Sequence, residues 1–353
     1  MSSLRGVVAL VFLAASVLPG GDVSASTACA GAEPVLASVA TALDEGRWDD
    51  AEHSLQPLEL SHPECGQVVV AVARLSAARG DLAEAERLFS RALMLAPDDA
   101  VAPAVFARFQ LSRGLGPQAA YLVAQSLAID PDCVEALVVR GQILGHRGLY
   151  GESRAVLEKA VALDPKSPEA HHELGIWFFR VNLFEQAARH LEKAVALRPH
   201  WARSLDYLAL CLEMLGEGER AERTYRQALE ANSGPFFDPT LEYNFGRFLL
   251  KQGRLEESLL HLDRAVAAFP LRRGPRYQRA KLRMAHGDYD SARQDAERAL
   301  ALGKSGDIVL DLQVYYLLTT IYSRLGETEL AREYAELART TEIPDQAEDL
   351  QRR

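Results

Sequence analysis

The sequence predicts an all-α protein built from repeated helix pairs, and two observations lead to this prediction. Proline recurs every 34 residues from Pro63 to Pro199, and glycine keeps the same spacing from Gly46 to Gly148. Between these columns, apolar residues recur at intervals of three and four, which is the spacing that buries one face of a helix. A fixed period of roughly 20 to 50 residues is typical of a solenoid, in which each unit packs only against its neighbours.

Each unit is predicted to contain two helices joined by a tight turn. In residues 134–167 the turn falls at Gly148, because glycine adopts a positive φ without strain. Pro165 ends the second helix, since proline cannot continue a helix and disfavours helical angles in the residue before it. Small residues such as Gly141 and Ser153 let the two helices approach each other closely.

The unit resembles the tetratricopeptide repeat, a helix–turn–helix of 34 residues with small residues at the helix crossing and proline after the second helix. Residues 168–201 carry the resemblance most clearly, with Gly175, Ala187 and Pro199 at these places. The resemblance implies a right-handed superhelical solenoid whose first helices line a concave face. Phase slips are expected at Phe236–Asp238 and Asp307–Asp311. We count nine units: 32–65, 66–99, 100–133, 134–167, 168–201, 202–235, 239–272, 273–306 and 312–345.

Residues 1–28 are predicted to be a secretory signal that is cleaved near Ala25 or Ala28. Arg5 supplies the positive start, and an apolar run follows from Val7 to Leu18. As a helix this run is about 18 Å long, too short for a hydrocarbon core of about 30 Å. We therefore expect an exported, periplasmic or extracellular protein, with an uncleaved anchor as the alternative.

The four cysteines are too few for a disulfide scaffold, and none has the C-x-x-C spacing of a structural zinc site. Cys29 and Cys65 each precede a first helix, so adjacent units could bring them together. Helix axes lie about 8–10 Å apart, while a disulfide needs Cα atoms within about 7 Å, which leaves this bond open. A lipoprotein modified at Cys29 is a further alternative. Cys211 is expected in the core, and Cys133 as a free thiol.

Charge and motifs exclude several classes of function. A net charge of −10 argues against a nucleic-acid coat, because phosphate binding needs clustered Lys and Arg. The sequence has no H-E-x-x-H metal motif, complete phosphate loop or nucleophile elbow, so we predict no enzyme, no cofactor and no metal site. His171 and His172 point about 100° apart on a helix and cannot easily share a metal. We expect one of them to be packed and the other solvated.

The resemblance implies that a partner binds to exposed residues of the first helices, on the concave face. In the early units the candidates are mostly apolar and would accept apolar side chains: Val70, Ala71, Arg74, Val101, Ala104, Val105, Arg108, Val138 and Val139. In the later units they are aromatic and polar and would hold a backbone or a carboxylate: His172, Glu173, Asp206, Tyr207, Tyr243, Asn244, Arg247, Lys251, Tyr277, Gln278, Lys281 and Tyr316. Alternatively, the Tyr and Asn residues only reflect the average repeat of the family.

The segment RRGPRYQRAKLR contains five Arg, one Lys and no acid: Arg272, Arg273, Arg276, Arg279, Lys281 and Arg283. A basic patch on an acidic protein predicts an anionic partner, such as an acidic segment, a carboxylated glycan or lipid headgroups. The alternative is a solvated helix face that pairs with acids of neighbouring units.

The sequence therefore predicts an exported, non-catalytic scaffold or adaptor that binds a protein or peptide segment in cell-envelope assembly or secretion. The alternative is an accessory subunit of an envelope enzyme or polysaccharide exporter, which holds an anionic polymer through the basic patch. Residues 346–353 form a short polar tail, and this leaves end-to-end self-association as a minor hypothesis.

Overall fold

The computed structural model describes residues 28–232, 238–303 and 309–341, and within these ranges it contains eighteen α-helices and no strand. Consecutive helices pack as helix–turn–helix pairs, which confirms the predicted all-α solenoid. The helices are α1 (Glu33–Asp44), α2 (Trp48–Ser61), α3 (Gly66–Ala78), α4 (Leu82–Leu95), α5 (Val101–Ser112), α6 (Gly116–Ile129), α7 (Val134–His146), α8 (Tyr150–Leu163), α9 (Pro168–Arg180), α10 (Phe184–Leu197), α11 (Ala202–Met214), α12 (Gly218–Ala231), α13 (Pro239–Lys251), α14 (Leu255–Ala268), α15 (Arg273–His286), α16 (Tyr289–Ala301), α17 (Asp311–Leu325) and α18 (Thr328–Thr340).

Some predictions fall on parts of the chain outside the described residues. They are the secretory signal up to residue 27, the polar tail, and parts of both phase slips, namely 236–237 and 307–308. No helix in the described ranges is long and apolar enough to cross a membrane.

A residue with positive φ lies in the turn of every helix pair, as the glycine column predicts. Gly148 has a φ of 76° between α7 and α8. In the next pair Asn182 takes this place with a φ of 60°, and it is the one non-glycine residue with positive φ in the described part of the chain. Asparagine enters this region more readily than other side chains, which explains why the column tolerates it.

In three of the described pairs the two helices touch where a glycine of the first helix meets a leucine of the second. A Cβ added to Gly141 of α7 would lie 2.5 Å from Cγ and Cδ2 of Leu157 in α8. Ser153 completes this crossing, because its buried hydroxyl donates to the Gly141 carbonyl oxygen at 2.8 Å. Ser258 of α14 donates in the same way to Gly246 of α13 at 2.7 Å. The small-residue columns are therefore places where the backbone of the first helix is in close contact with side chains of the second.

The odd-numbered helices form the inner layer of the solenoid. Each contacts the odd-numbered helices of the neighbouring pairs as well as its own partner, while the even-numbered helices make no comparable contacts with one another in the described ranges. Neighbouring units are therefore closer together on the side of the first helices. This side is the concave face that the resemblance implies.

A disulfide between Cys29 and Cys65 fastens the first pair, with Cα atoms 4.9 Å apart. It joins the residues just before α1 to the N-cap of α3, and it answers the question that the sequence left open. Both cysteines are buried with Leu58 and Val68. Cys211 lies in the core, as predicted, and Cys133 is a free, buried thiol.

We predict that Gly141→Ala lowers the free energy of unfolding by about 1–3 kcal/mol, because Leu157 has to move or the helices have to separate. Gly145→Ala, one turn later in α7, is the matched control, since its Cβ would meet the Ser153 hydroxyl at an ordinary 3.5 Å. Urea denaturation of both variants measures the difference. Equal stability of the two would contradict the close approach.

We predict that reduction of the Cys29–Cys65 disulfide destabilises the first helix pair by about 2–4 kcal/mol, because the bond restricts the unfolded chain. Hydrogen exchange at α1 and α2, with and without reductant, measures this change. In a Cys29→Ser/Cys65→Ser variant the reductant should have no effect. The same response in that variant would contradict the prediction, because the reductant would then act elsewhere than on this disulfide.

Candidate partner-binding groove

The N-terminal part of the concave face is bridged by an ion pair between the first and fifth pairs. Arg198, which follows α10, donates to Asp44 at the end of α1 at 2.8 Å and also pairs with Glu169 of α9. Arg74 of α3 binds the other carboxylate oxygen of Asp44 at 2.9 Å. The Arg198 guanidinium stacks on the Trp201 ring, 4.5 Å from its centroid. Around this bridge lies a cavity of about 760 Å³.

The early groove is not the apolar surface that the sequence predicted. Ala104, Val138 and Val139 are at most 1% exposed, because they pack between neighbouring first helices. Val70 and Ala71 are also buried, and Val101 alone of the predicted apolar residues is clearly exposed. Charged side chains line the cavity instead, among them Asp44, Arg74, Arg108, Glu169 and Arg198.

In the later groove, two of the predicted cations share one carboxylate. Glu213 of α11 accepts from both terminal nitrogens of Arg247, at 3.1 and 2.7 Å, and from Lys251 at 2.5 Å. The Tyr225 hydroxyl donates to the same carboxylate at 3.3 Å. The Glu213 side chain is 8% exposed, while that of Lys251 remains 55% exposed. Lys251 therefore still reaches the groove.

A third cation, Lys281, completes a cluster on this face. Its ammonium lies 5.7 Å from the centroid of the Tyr277 ring. Burial lowers the pKa of Lys281, and the charges of Lys251 and Arg247 lower it further. The pKa of Tyr277 is raised by burial and by the neighbouring Tyr243. We call these five residues the cation cluster: Tyr243, Arg247, Lys251, Tyr277 and Lys281. The predicted residues thus come together, and Glu213 pairs with two of them, Arg247 and Lys251.

Asn244 is not available to a partner, because it is buried and its amide donates to both carboxylate oxygens of Asp206, at 3.1 and 2.9 Å. Burial raises the pKa of Asp206 from its ordinary value of 3.8 to about 7. The hydrogen bonds from Asn244 oppose this shift, whereas the charge of Asp238 adds to it. This pair is an internal contact between α11 and α13.

The remaining groove residues differ in their surroundings. Tyr207 is half-buried and packs edge-on against Phe179, with centroids 5.5 Å apart. Gln278 is half-buried on α15. Tyr316 of α17 is 58% exposed, so it is open to a partner.

Three arginines of the basic patch converge on one buried acid, Asp295 of α16. Arg279 forms two parallel hydrogen bonds with this carboxylate, each 2.7 Å long. Arg283 binds it at 2.9 Å, and Arg276 lies 3.6 Å away. Arg279 also pairs with Asp263 of the preceding unit at 2.7 Å. The arginines pair with acids, as the alternative interpretation expects, but their main partner is Asp295 of the same unit and their side chains are largely buried rather than solvated.

The other two arginines of the patch also have contacts within the chain. The sequence placed Arg273 in a surface patch, and this prediction is wrong because Arg273 is fully buried. It donates to the carbonyl oxygens of Ala299 and Leu300 in the last turn of α16, at 2.8 and 3.3 Å. It also pairs with Asp311 at 2.6 Å and so joins α15, α16 and α17. Arg272 is exposed and stacks on Phe269.

The expectation that one of the adjacent histidines is solvated is wrong. His171 and His172 are each 1% exposed, because α9 is covered on both flanks. His171 faces its own unit and contacts the His190 ring nitrogen at 3.0 Å. His172 faces the next unit, where its Nδ1 lies 2.7 Å from the Ser204 hydroxyl.

Several groove residues were missed by sequence reasoning. Glu213 and Arg247 stand 34 residues apart, so a search for opposite charges one period apart finds this pair. Arg198 and Asp44 are 154 residues apart, and no local pattern signals their contact.

These features define a helical-repeat solenoid with a concave inner surface. Models of the tetratricopeptide repeat match residues 36–100, 173–235, 219–273 and 277–347, and further models of this repeat match 76–143 and 134–167. The chain therefore belongs to the tetratricopeptide repeat family.

A solved structure supports the same fold. The human IFIT1 dimer with PPP-AAAA is 19% identical, with a TM-score of 0.53, and the match covers 82% of this chain and 67% of that chain. At this identity the likeness shows the fold alone. Pseudomonas aeruginosa pilF is also similar, at 18% identity and a TM-score of 0.47, over 58% of this chain and 92% of that chain. No curated protein matches the sequence.

We predict that Asp206 makes the protein less stable as the pH rises from about 4 to about 7. The unfolded chain releases this proton near 3.8 and the folded chain near 7, so folding takes up a proton between these values. Asp206→Asn removes the effect, and its stability relative to wild type should rise by roughly 1–3 kcal/mol between about pH 4.5 and about pH 8.

Urea denaturation at both pH values measures this change. Asp98→Asn, at an exposed carboxylate, is the control and should follow wild type. If Asp206→Asn also follows wild type, the carboxyl of Asp206 is already ionised in the folded protein.

Proposed function

We propose that this protein is a non-catalytic scaffold that holds an acidic segment of a partner protein in the later half of its concave groove. One observation carries the proposal. Arg247, Lys251 and Lys281 meet on the inner surface, and Glu213 is the one carboxylate that pairs with them among the described residues. The cluster keeps a positive charge that an acidic partner would neutralise.

The neighbouring aromatic rings favour a peptide over a bare ion. Tyr243 and Tyr277 stand beside the cations, and Tyr316 is exposed on the next first helix. Tyrosine and arginine are enriched among residues that dominate binding energy, since they combine apolar area with polar groups. An extended or helical segment with carboxylates and apolar side chains fits this combination.

We propose export of the chain on the basis of its disulfide. Disulfides persist in oxidising compartments and are rare in the cytosol. The Cys29–Cys65 bond begins directly after the predicted cleavage sites, so export would remove the signal and leave the bond near the new N-terminus. A role in envelope assembly or secretion is the function we propose for such a scaffold. End-to-end self-association stays a prediction.

The arginines of the basic patch are engaged within the protein, and this favours the scaffold over an accessory subunit that holds an anionic polymer. Arg276, Arg279 and Arg283 surround Asp295, and Arg273 is buried. A polymer would have to compete with these internal pairs. At Lys281 an acidic partner would not have to displace an ion pair of the described residues.

We predict that Lys281→Glu weakens binding of an acidic peptide at least about tenfold, because it places a carboxylate beside the acids of the partner. The probe is a labelled peptide of alternating Glu and Leu, and fluorescence anisotropy measures its affinity. Lys193→Glu, on the exposed face of α10, makes the same charge change outside the groove and should alter the affinity less than about twofold.

The same peptide with Gln in place of Glu should not bind to wild type or to either variant at comparable concentration. Equal losses of affinity in Lys281→Glu and Lys193→Glu would show that only the net charge of the protein matters, and would contradict a specific site at Lys281. Unchanged affinity in both would place the acidic segment elsewhere on the molecule.

A further inference from the structure

A second cavity, of about 270 Å³, lies between the first helices of the third to sixth pairs. Its lining includes Arg108 of α5, Gln142 of α7, His172 and Arg180 of α9, and Arg203 of α11. It shares no residue with the cation cluster, so binding in this cavity is independent of the proposed function. We call it the His172 cavity.

His172 lines this cavity, and its ring has a nitrogen without a hydrogen-bond partner among the described residues. Among the described residues, the buried Ser204 hydroxyl contacts only Nδ1 of His172, at 2.7 Å, so its hydrogen is satisfied by donation to Nδ1. Nε2 then carries the ring N–H. Within the described ranges Nε2 has no hydrogen-bond partner, and the nearest carboxylate oxygen, on Glu173, is 3.8 Å away. Such an orphaned donor in a 1% exposed side chain is costly unless a ligand accepts from it.

Arginine donors surround the same space. Nε of Arg108 is buried and has no partner among the described residues. Arg180 and Arg203 also line the cavity, and neither makes a hydrogen bond or ion pair within the described part of the chain. Burial and the nearby positive charges keep His172 neutral, with its pKa well below the ordinary 6.5.

The acids of the cavity compensate these charges only in part. Glu173 accepts from the Gln142 amide at 2.6 Å; burial raises its pKa, and the charges of Arg203, Arg108 and Arg180 oppose this shift. Glu169 pairs with Arg198, and Arg108 is 4.0 Å from it. Donors and positive charge are therefore in excess, and the complementary group has negative charge and several acceptor lone pairs.

We propose that the His172 cavity binds a carboxylate, which is either a free small organic acid or the side chain of a Glu or Asp in a partner. A carboxylate offers about four lone-pair sites in one plane, and guanidinium groups bind this plane in pairs. Small-molecule sites span roughly 300–1,000 Å³, so about 270 Å³ suits one acidic side chain or a short acid.

Tryptophan fluorescence tests the proposal, because Trp177 and Trp201 both line the cavity. The probes are acetate, glutarate and a Gly-Ser peptide with blocked termini and a single Glu, at constant ionic strength. Acetamide and the same peptide with Gln are their neutral counterparts. We expect a saturable change with the carboxylates and none with the amides. Saturation by glutarate alone assigns the site to a free acid, and saturation by the Glu peptide alone assigns it to a partner side chain.

Two variants locate the binding. Arg203→Gln removes a cavity donor without breaking a hydrogen bond or ion pair of the described residues, and it should weaken carboxylate binding about tenfold or more. Arg189→Gln, on the exposed face of α10, is the matched control and should bind like wild type. His172→Phe keeps a ring against Trp201, 4.2 Å between centroids in the wild type, but removes the N–H, and it should also weaken binding.

The folded Arg203→Gln variant keeps the test decisive if His172→Phe does not fold. The proposal fails if no carboxylate saturates, if amides bind equally well, or if Arg203→Gln and Arg189→Gln bind alike. Lys281→Glu should leave this titration unchanged, so failure of the cation cluster and failure of the His172 cavity are distinguishable.

Discussion

The close approach of the two helices in each pair is the contact on which the rest of the structure depends. Where Gly141 meets Leu157, the backbone of one helix touches the side chain of the other, and the same contact recurs at Gly175 with Leu191. Each pair can bury its apolar residues only against its partner and its neighbours. Small residues at the crossing therefore determine how closely the two helices of a pair pack, and contacts between the first helices of neighbouring pairs add the curvature that brings these helices to the inside.

This curvature has an electrostatic consequence. Side chains of the first helices are crowded onto the inner surface, and charged residues that are far apart in sequence become neighbours there. Arg198 and Asp44 bridge the groove, and the carboxyl of Asp206 is buried deeply enough to raise its pKa to about 7. Buried charges are costly unless they are paired. The inner surface is accordingly rich in ion pairs, and the groups that remain without partners are where binding is to be expected.

Paired and unpaired arginines thus have different roles in the same chain. Arg273 holds the end of α16 with hydrogen bonds to backbone carbonyls, and Arg279 is bound on two sides by Asp295 and Asp263. Arg203 lines a cavity and makes no hydrogen bond or ion pair in the described ranges. In the sequence these residues look alike, because a charge by itself does not reveal whether an acid lies opposite.

The sequence by itself determined the class of fold, the helix pairs and their turns. Helix periodicity and the positive-φ position at Gly148 or Asn182 are local properties of the backbone, so they can be read from spacing alone. It also placed Arg247, Lys251 and Lys281 on one face, since a repeat carries equivalent positions to equivalent places. Only the tertiary structure decided that Asn244 is hydrogen-bonded to Asp206 and that both His171 and His172 are buried. The same holds for the disulfide between Cys29 and Cys65. These outcomes depend on how neighbouring units tilt and curve, and that geometry is the sum of many packing contacts between side chains distant in sequence.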